Sequence, residues 1–171
     1  MLTETILEDD RWHGVGFAGL AETAATAVLN HLELPPEGYE IAVLACDDAR
    51  IATLNADFRG KPQPTNVLSW PAWDLSAEND GGDPDLPPEA EPDDPEPLGD
   101  IAIALETCQR EATEQGKTVT DHVTHLIVHA TLHLLGYDHI RDGDATLMES
   151  LETVILGKLG IADPYMDNYG A

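Results

Sequence analysis

The segment from Val119 to Leu135 constrains the fold more than any other part of this 171-residue chain. As an α-helix, it would carry apolar side chains on most of its circumference, and a helix of that kind is buried among other elements. Gly136 follows directly, in the position that favours a left-handed helix end. The pattern therefore predicts a buried central helix that the rest of the chain must cover.

Short apolar runs and helical patterns share the remainder of the chain. Strands are predicted at 3–8, 40–46, 67–70 and 101–105, and further helices at 16–31, 47–58, 107–115 and 144–159. Strands and helices do not alternate strictly, which favours an α+β fold: a small mixed β-sheet packed with helices. The length fits a single domain over residues 1–171.

Histidines are concentrated on the predicted central helix. Five of the seven lie between positions 122 and 139. At about 100° per residue, four of them fall within about 80° of one another on one helix face: His122, His125, His129 and His133. Imidazoles on a buried helix need polar partners or a ligand, which raises the expectation of a metal site.

Three of these histidines have the spacing of a metal-binding triad. His129 and His133 are an i, i+4 pair, so their rings lie one above the other. Gly136 allows the chain to reverse, and a turn there can bring His139 to the same ion. Three nitrogen ligands leave the fourth position of a tetrahedral zinc open, as in catalytic sites. We expect His122 and His125 to line the cleft or to support the ligands.

The triad spacing matches that of metalloproteases with an H-E-x-x-H-x-x-G-x-x-H motif. The glutamate that follows the first histidine in those enzymes is their general base, and this chain has Ala130 at that position. Peptide hydrolysis by that mechanism therefore lacks its proton acceptor. A related metal site with a different chemistry is the better interpretation.

Four motifs together resemble one known family. The segments 129–139 (HATLHLLGYDH), 55–59 (NADFR), 64–70 (PTNVLSW) and 98–103 (LGDIAI) occur in the order found in the YbeY family of metal-dependent endoribonucleases. The resemblance covers roughly residues 40–159. It departs from the usual family pattern at Ala130, where glycine is common, and at Asn66, where aspartate occurs.

The resemblance implies a function and a set of site residues. It implies that His129, His133 and His139 hold one zinc ion per chain, and that Arg59 is a functional cation facing the same cleft. The implied activity is single-strand-specific cleavage of RNA in late ribosomal RNA maturation, at the small-subunit 3′ end, and in ribosome quality control. The implied partners are ribosomal RNA and the small ribosomal subunit or its assembly factors, without DNA.

Two other functions stay open at this point. One is a zinc metallopeptidase-like hydrolase, against which Ala130 argues. The other is a non-catalytic ribosome-assembly factor in which the metal only stabilises the fold. Structural zinc sites usually have four protein ligands, often thiolates, and neither cysteine lies near the triad in sequence. Without the resemblance, the favoured interpretation of Arg59 is a solvated loop arginine that caps the preceding helix.

Composition limits the partners and the compartment. The formal net charge is −25, which opposes binding to phosphates unless the few cations cluster. No stretch approaches the ~18 apolar residues of a membrane span, so no membrane association is expected. Two cysteines far apart indicate reduced thiols and a cytoplasmic location. Residues 1–10 carry no base before their apolar patches, so a secretory signal is not expected.

The stretch 74–98 differs in composition from the rest. It holds ten acidic residues, no basic residue and several prolines. Proline removes backbone donors and like charges repel, so a disordered acidic loop is predicted at 74–98. We expect that shortening it to a turn leaves folding and metal binding intact, because nothing in it can bury a core. Outside this stretch the chain still has 23 acidic residues and only 8 basic ones, so the rest of the chain is acidic too.

Overall fold

A computed structural model describes residues 1–165 of the chain. These residues form four strands and five α-helices, together with two short 3-10 helices at Asp10–Val15 and Pro36–Gly38. The main elements, in chain order, are β1 (Thr3–Leu7), α1 (Phe17–His31), β2 (Tyr39–Cys46), α2 (Asp48–Arg59), β3 (Val67–Pro71), β4 (Glu96–Ala104), α3 (Leu105–Gln115), α4 (Val119–Leu134) and α5 (Asp142–Lys158).

The four strands make one mixed sheet with the order β1-β2-β4-β3. β1, β2 and β4 are parallel, with Val43 of β2 opposite Ile101 of β4. β3 is antiparallel to β4 and pairs Val67 with Ile103. The α+β prediction, with a small mixed sheet and packed helices, is therefore confirmed.

The two faces of the sheet pack against different helices. Side chains alternate along β2, so Ile41, Val43 and Ala45 belong to the main core with α1 and α4. Cys46 belongs to a smaller cluster on the other face, where Ile51 of α2 packs. From Val43 to Cys46 the side chains are buried or half-buried on both faces, which explains why this half of β2 is a continuous apolar run.

α4 is the central helix, as the sequence predicts. It packs against α1, α3, α5 and β3, and ten of its sixteen residues are buried. Its first turn is capped by Thr118, whose Oγ1 accepts a hydrogen bond from the Asp121 backbone N–H at 3.1 Å. Although α4 is apolar, no helix within residues 1–165 is long and apolar enough to cross a bilayer.

Gly136 ends α4 in a Schellman motif. The backbone N–H of Gly136 donates to the His133 carbonyl, and that of Tyr137 donates to the Leu132 carbonyl, each at 3.1 Å. Gly136 has a φ of 100°, which side-chain-bearing residues rarely adopt. This turn directs the segment with His139 back towards the helix that carries His129 and His133.

The acidic stretch contributes to the core at both of its ends. Leu75 and Leu98 are buried, so our expectation that nothing in 74–98 can bury a core is wrong. β4 begins at Glu96, earlier than the predicted strand at 101–105, because Glu96 pairs with Tyr39 of β2. Composition hid this pairing, since proline and acidic residues are poor strand formers.

Hydrogen bonds also join the middle of the acidic stretch to the rest of the fold. Tyr39 donates its hydroxyl to the Pro88 carbonyl at 2.8 Å. The Arg141 guanidinium donates to the carbonyls of Ala77 and Glu78, at 2.8 and 3.1 Å. That the stretch is disordered stays a prediction, as does a single domain over 1–171, part of which lies outside the described residues.

Gly136 gives a direct test of the turn at the end of α4. A Cβ at this position meets the Leu75 carbonyl oxygen at 2.6 Å and the Pro84 Cβ at 2.8 Å. A positive φ adds about 1–2 kcal/mol for a residue with a side chain. We therefore expect Gly136→Ala to lower the free energy of unfolding by more than about 2 kcal/mol in urea titrations.

Gly157 supplies the matched control. It lies inside α5, and a Cβ there meets nothing within 4 Å. Gly157→Ala, in the last turn of the helix, should leave the free energy of unfolding unchanged or raise it by up to about 0.5 kcal/mol, because alanine loses less backbone entropy in a helix. Equal stability of Gly136→Ala and the wild type would contradict the geometry described for this turn.

Candidate active site

A cleft of about 580 Å³ opens between α4, the end of α2, β3 and the segment that follows α4. All four residues that the sequence analysis selects for the site line this cleft. They are Arg59, His129, His133 and His139. They come from three parts of the chain, and the structure brings them to one surface.

A buried carboxylate fixes the ring of His129. Glu152 of α5 is 1% exposed, and its Oε1 lies 3.2 Å from His129 Nδ1. An ionised carboxylate can only accept hydrogen bonds, so Nδ1 carries the ring hydrogen and donates it. The lone pair of His129 is then on Nε2, the nitrogen that a metal or a proton can use.

The same carboxylate holds two more side chains. His125 Nε2 donates to Glu152 Oε1 at 2.7 Å, and the Tyr165 hydroxyl donates to Oε2 at 2.9 Å. Burial alone raises the pKa of the Glu152 carboxyl, but the hydrogen bonds from His125 and His129 outweigh it and bring the pKa down to about 2. Glu152 is therefore charged at neutral pH.

His133 has its own acceptor. Its Nδ1 lies 3.1 Å from the carbonyl oxygen of Tyr137, and a carbonyl can only accept, so Nδ1 donates here too. Burial lowers the pKa of His133, although Asp138 partly opposes this. The ring is then neutral at pH 7, and its lone pair is on Nε2. The Schellman turn that places Tyr137 thus also fixes the tautomer of His133.

His139 completes the set from outside the helix. Its ring centroid lies 5.3 Å from that of His129, and the residue is exposed. Within residues 1–165, no three His, Cys, Asp or Glu side chains are already arranged as a group that could hold a metal. The chemistry of the donors nevertheless fits zinc, since His129 and His133 each have a free Nε2 beside the third imidazole.

Arg59 is the last residue of α2, before the left-handed Gly60. Its side chain is exposed, and it forms no ion pair with an acid among the described residues. The following loop is held by Asn55, whose Nδ2 donates to the Gln63 carbonyl at 2.9 Å. The Arg59 guanidinium is therefore available to a ligand in the cleft.

A second, partly buried network of hydrogen bonds contacts the cleft through Asn66. Glu111 Oε1 accepts from His122 Nε2 at 2.9 Å and from Asn66 Nδ2 at 3.0 Å. Asn66 lines the cleft, and its Oδ1 accepts from the Val67 backbone N–H at 2.6 Å. An amide at position 66 can donate to Glu111, whereas an ionised carboxylate there could only repel it. The structure thus gives Asn66 a physical role.

Known proteins match this chain over most of its length. The family model described as Endoribonuclease YbeY matches residues 9–160. The Endoribonuclease YbeY of Ruegeria pomeroyi is 62% identical over 165 residues, which is 96% of this chain and 98% of the relative. That of Ruegeria sp. (strain TM1040) is 58% identical over 166 residues, 97% of each chain.

This chain belongs to the endoribonuclease YbeY family. The fold agrees with that of a solved structure, the solution structure of TM1509 from Thermotoga maritima. The two share a TM-score of 0.55 at 18% identity, over 93% of this chain and 92% of the other. At that identity the likeness concerns the fold alone.

Sequence reasoning missed the two glutamates that hold the histidine rings of this YbeY family member. Glu152 lies 23 residues from His129, and Glu111 lies 11 residues from His122. A signal for Glu152 does exist, because it shares the buried stripe of α5 with Met148 and Ile155 at helical spacing. An acid on such a stripe needs a partner, and the histidines of α4 are the partners available.

Glu152 generates a stability prediction. Glu152→Gln removes the charge that accepts from two imidazoles, and a buried amide in its place satisfies them poorly. We expect the free energy of unfolding of the metal-free protein to fall by about 1–3 kcal/mol at pH 7. Glu149→Gln, at an exposed position of the same helix, is the matched control and should change it by less than about 0.5 kcal/mol.

The loss in free energy of unfolding caused by Glu152→Gln should depend on pH in one direction. The folded pKa of Glu152 is depressed to about 2 from 4.5, so its contribution is present above pH 4.5 and is lost as pH falls towards 2. The difference between wild type and Glu152→Gln should therefore shrink over that range. A difference that grows on acidification contradicts the assignment of a charged Glu152.

Proposed function

We propose that this chain is a zinc-dependent, single-strand-specific endoribonuclease of late ribosomal RNA maturation. Its substrates would include the 3′ end of small-subunit precursor RNA, and it would also act in ribosome quality control. The observation that carries the proposal is one cleft that combines the imidazoles of His129, His133 and His139 with the Arg59 guanidinium, which pairs with no acid of residues 1–165. Membership of the endoribonuclease YbeY family supports the activity.

The proposed setting follows from the same reasoning. Partners would be ribosomal RNA and the small ribosomal subunit or its assembly factors, in the cytoplasm. Both cysteines of the chain, Cys46 and Cys108, are free and buried, as is usual where thiols stay reduced. Neither lies among the residues that line the cleft.

The three imidazoles are the proposed metal ligands. His129 and His133 would bind through Nε2, since their Nδ1 atoms donate to Glu152 and to the Tyr137 carbonyl. His139 would be the third ligand. When bound, zinc would supply Lewis-acid activation of a water molecule and of a phosphoryl oxygen. Glu152 would keep the His129 ring in the correct orientation and tautomer throughout.

Arg59 would bind the phosphate at the scissile bond. Its planar fork can donate two parallel hydrogen bonds to phosphate oxygens. Because it pairs with no acid of residues 1–165, RNA binding breaks no ion pair of Arg59 within that part of the chain. As charge develops on the phosphoryl oxygens in the transition state, the guanidinium would stabilise it.

A peptidase function is not favoured. Ala130 lines the cleft at the position where the metalloprotease motif has its glutamate, and it offers no proton acceptor. A non-catalytic role is not favoured either, because a metal that only stabilises the fold would need neither Arg59 nor a cleft beside the histidines. Incubation of the zinc-loaded protein with RNA and with peptides should give cleavage of RNA alone.

Metal content tests the triad. We expect about one zinc per chain by elemental analysis of the purified protein, and loss of zinc in His129→Ala and in His133→Ala. His139→Ala should weaken zinc binding without unfolding the chain, because His139 lies beyond the helix. His13→Ala, at an exposed site outside the cleft, is the control. Unchanged zinc in both helix variants would rule out the proposed ligands.

Arg59 can be tested separately from the metal. Arg59→Ala should keep its zinc while RNA cleavage falls by roughly a hundredfold or more, the usual effect of removing one preorganised donor. Arg59→Lys should recover little, since an ammonium lacks the planar fork. Arg50→Ala, on the same helix but paired with Glu8, should cleave as the wild type does. Wild-type rates in Arg59→Ala would show that Arg59 is a solvated helix-end cation.

A further inference from the structure

The cleft continues into a second pocket. This pocket has a volume of about 290 Å³ and lies beside Trp73 and the start of the acidic stretch. Both pockets share Pro71, His133 and Asp138 as walls. The two pockets therefore adjoin, and we refer to them together as the groove, with His133 in the wall that they share.

An exposed aromatic ring borders each of the two pockets of the groove. Phe58 borders the larger pocket and is 50% exposed, and Trp73 borders the smaller one and is 43% exposed. Both are held in place: the Phe58 ring packs on Trp70 with centroids 5.1 Å apart, and Trp73 Nε1 donates to the Pro97 carbonyl at 3.3 Å. Because both rings are exposed at the border of a pocket, a ligand that lies in the groove can contact them.

The charges of the chain leave little for phosphate binding. Four arginines already pair with acids: Arg11 with Asp9, Arg50 with Glu8, Arg110 with Asp48 and Arg141 with Asp144. Within residues 1–165, Arg59 is the one lysine or arginine that lines either pocket. A protein of net charge −25 therefore cannot hold an RNA strand mainly by neutralising phosphates.

Stacking supplies affinity that does not depend on charge. Every base has a π face, and aromatic side chains bind successive bases of a single strand in this way. In a duplex the bases are already stacked on one another and cannot reach a protein ring. Exposed rings on both sides of a cleft thus select a flexible single strand.

We propose that a single-stranded RNA lies along this groove with one base stacked on Phe58 and another on Trp73, on either side of the histidines. The inference rests on the proposed endoribonuclease function and names how that function recognises its substrate. Arg59, next to Phe58 in sequence, contacts the backbone phosphate between the two stacked bases. The strand is held by its bases at both ends of the groove and by its phosphate at one point.

The affinity of the zinc-loaded protein for a fluorescent 2′-O-methyl adenylate decamer tests the stacking proposal. A gel checks that the decamer stays intact during the measurement. Phe58→Leu and Trp73→Leu keep an apolar side chain but remove the ring, and each should weaken binding roughly five- to a hundredfold. Phe58→Tyr and Trp73→Phe keep a ring and should bind within about threefold of wild type. Ile6→Ala and Val154→Ala, at exposed positions outside both pockets, should bind as the wild type.

Two properties of the wild type test the same idea without a variant that could misfold. An abasic decamer should bind at least about tenfold more weakly than the adenylate decamer, because it has no bases to stack. The logarithm of the binding constant should fall with the logarithm of salt concentration with a slope of only about −0.7 to −1.4, the value for one or two phosphates.

The outcomes separate this inference from the function on which it rests. The stacking groove is wrong if the leucine variants bind the decamer as tightly as the wild type does, or if the wild type binds the abasic decamer as tightly as the adenylate decamer. If the wild type still cleaves RNA in that case, the proposed endoribonuclease function is retained. If the wild type binds the decamer through its rings but cleaves no RNA, the groove stands and the endoribonuclease fails. If the leucine variants instead abolish a dimer in sedimentation and leave RNA affinity unchanged, the rings form a protein interface and the inference is overturned.

Discussion

The Glu152 carboxylate is the interaction on which the site depends. It is buried, it is charged, and it accepts hydrogen bonds from His125, His129 and Tyr165. A buried charge is tolerated only when it is paired and hydrogen-bonded, so α5 and α4 can pack together only in the register that satisfies it. That packing leaves the Nε2 atom of His129 available at the cleft, and the rest of the site is built around this nitrogen.

Two other histidine rings of α4 also donate to an acceptor that a neighbouring part of the fold supplies. His133 donates to the carbonyl of Tyr137, which the Schellman turn at Gly136 places within reach. His122 and Asn66 share Glu111, which joins α3 to the loop before β3. In each case the fold supplies an acceptor for a ring on an otherwise apolar helix. Structural requirements and site geometry are therefore met by the same hydrogen bonds.

Local patterns predicted the elements that depend on nearby residues. α4 and its end at Gly136, the helix α2 and the apolar strand β2 all follow from residues within a few positions of one another. The spacing of the histidines selected His129, His133 and His139, and the family motifs added Arg59; the structure brings all four to one cleft. Glu152 and the buried Leu75 were missed, because their partners are set by tertiary packing across long separations. The early start of β4 was missed because pairing with β2 outweighs the poor strand propensity of its first residues.

The tautomers of the α4 histidines test this account most directly. Long-range 15N–1H NMR spectra of the metal-free protein, labelled at histidine and recorded at neutral pH, report which ring nitrogen carries the hydrogen. The account predicts hydrogen on Nδ1 of His129 and His133, and on Nε2 of His122 and His125, because of the acceptors that each ring faces. Hydrogen on Nε2 of both His129 and His133 would contradict it, since neither ring would then have a free Nε2 to offer in the cleft.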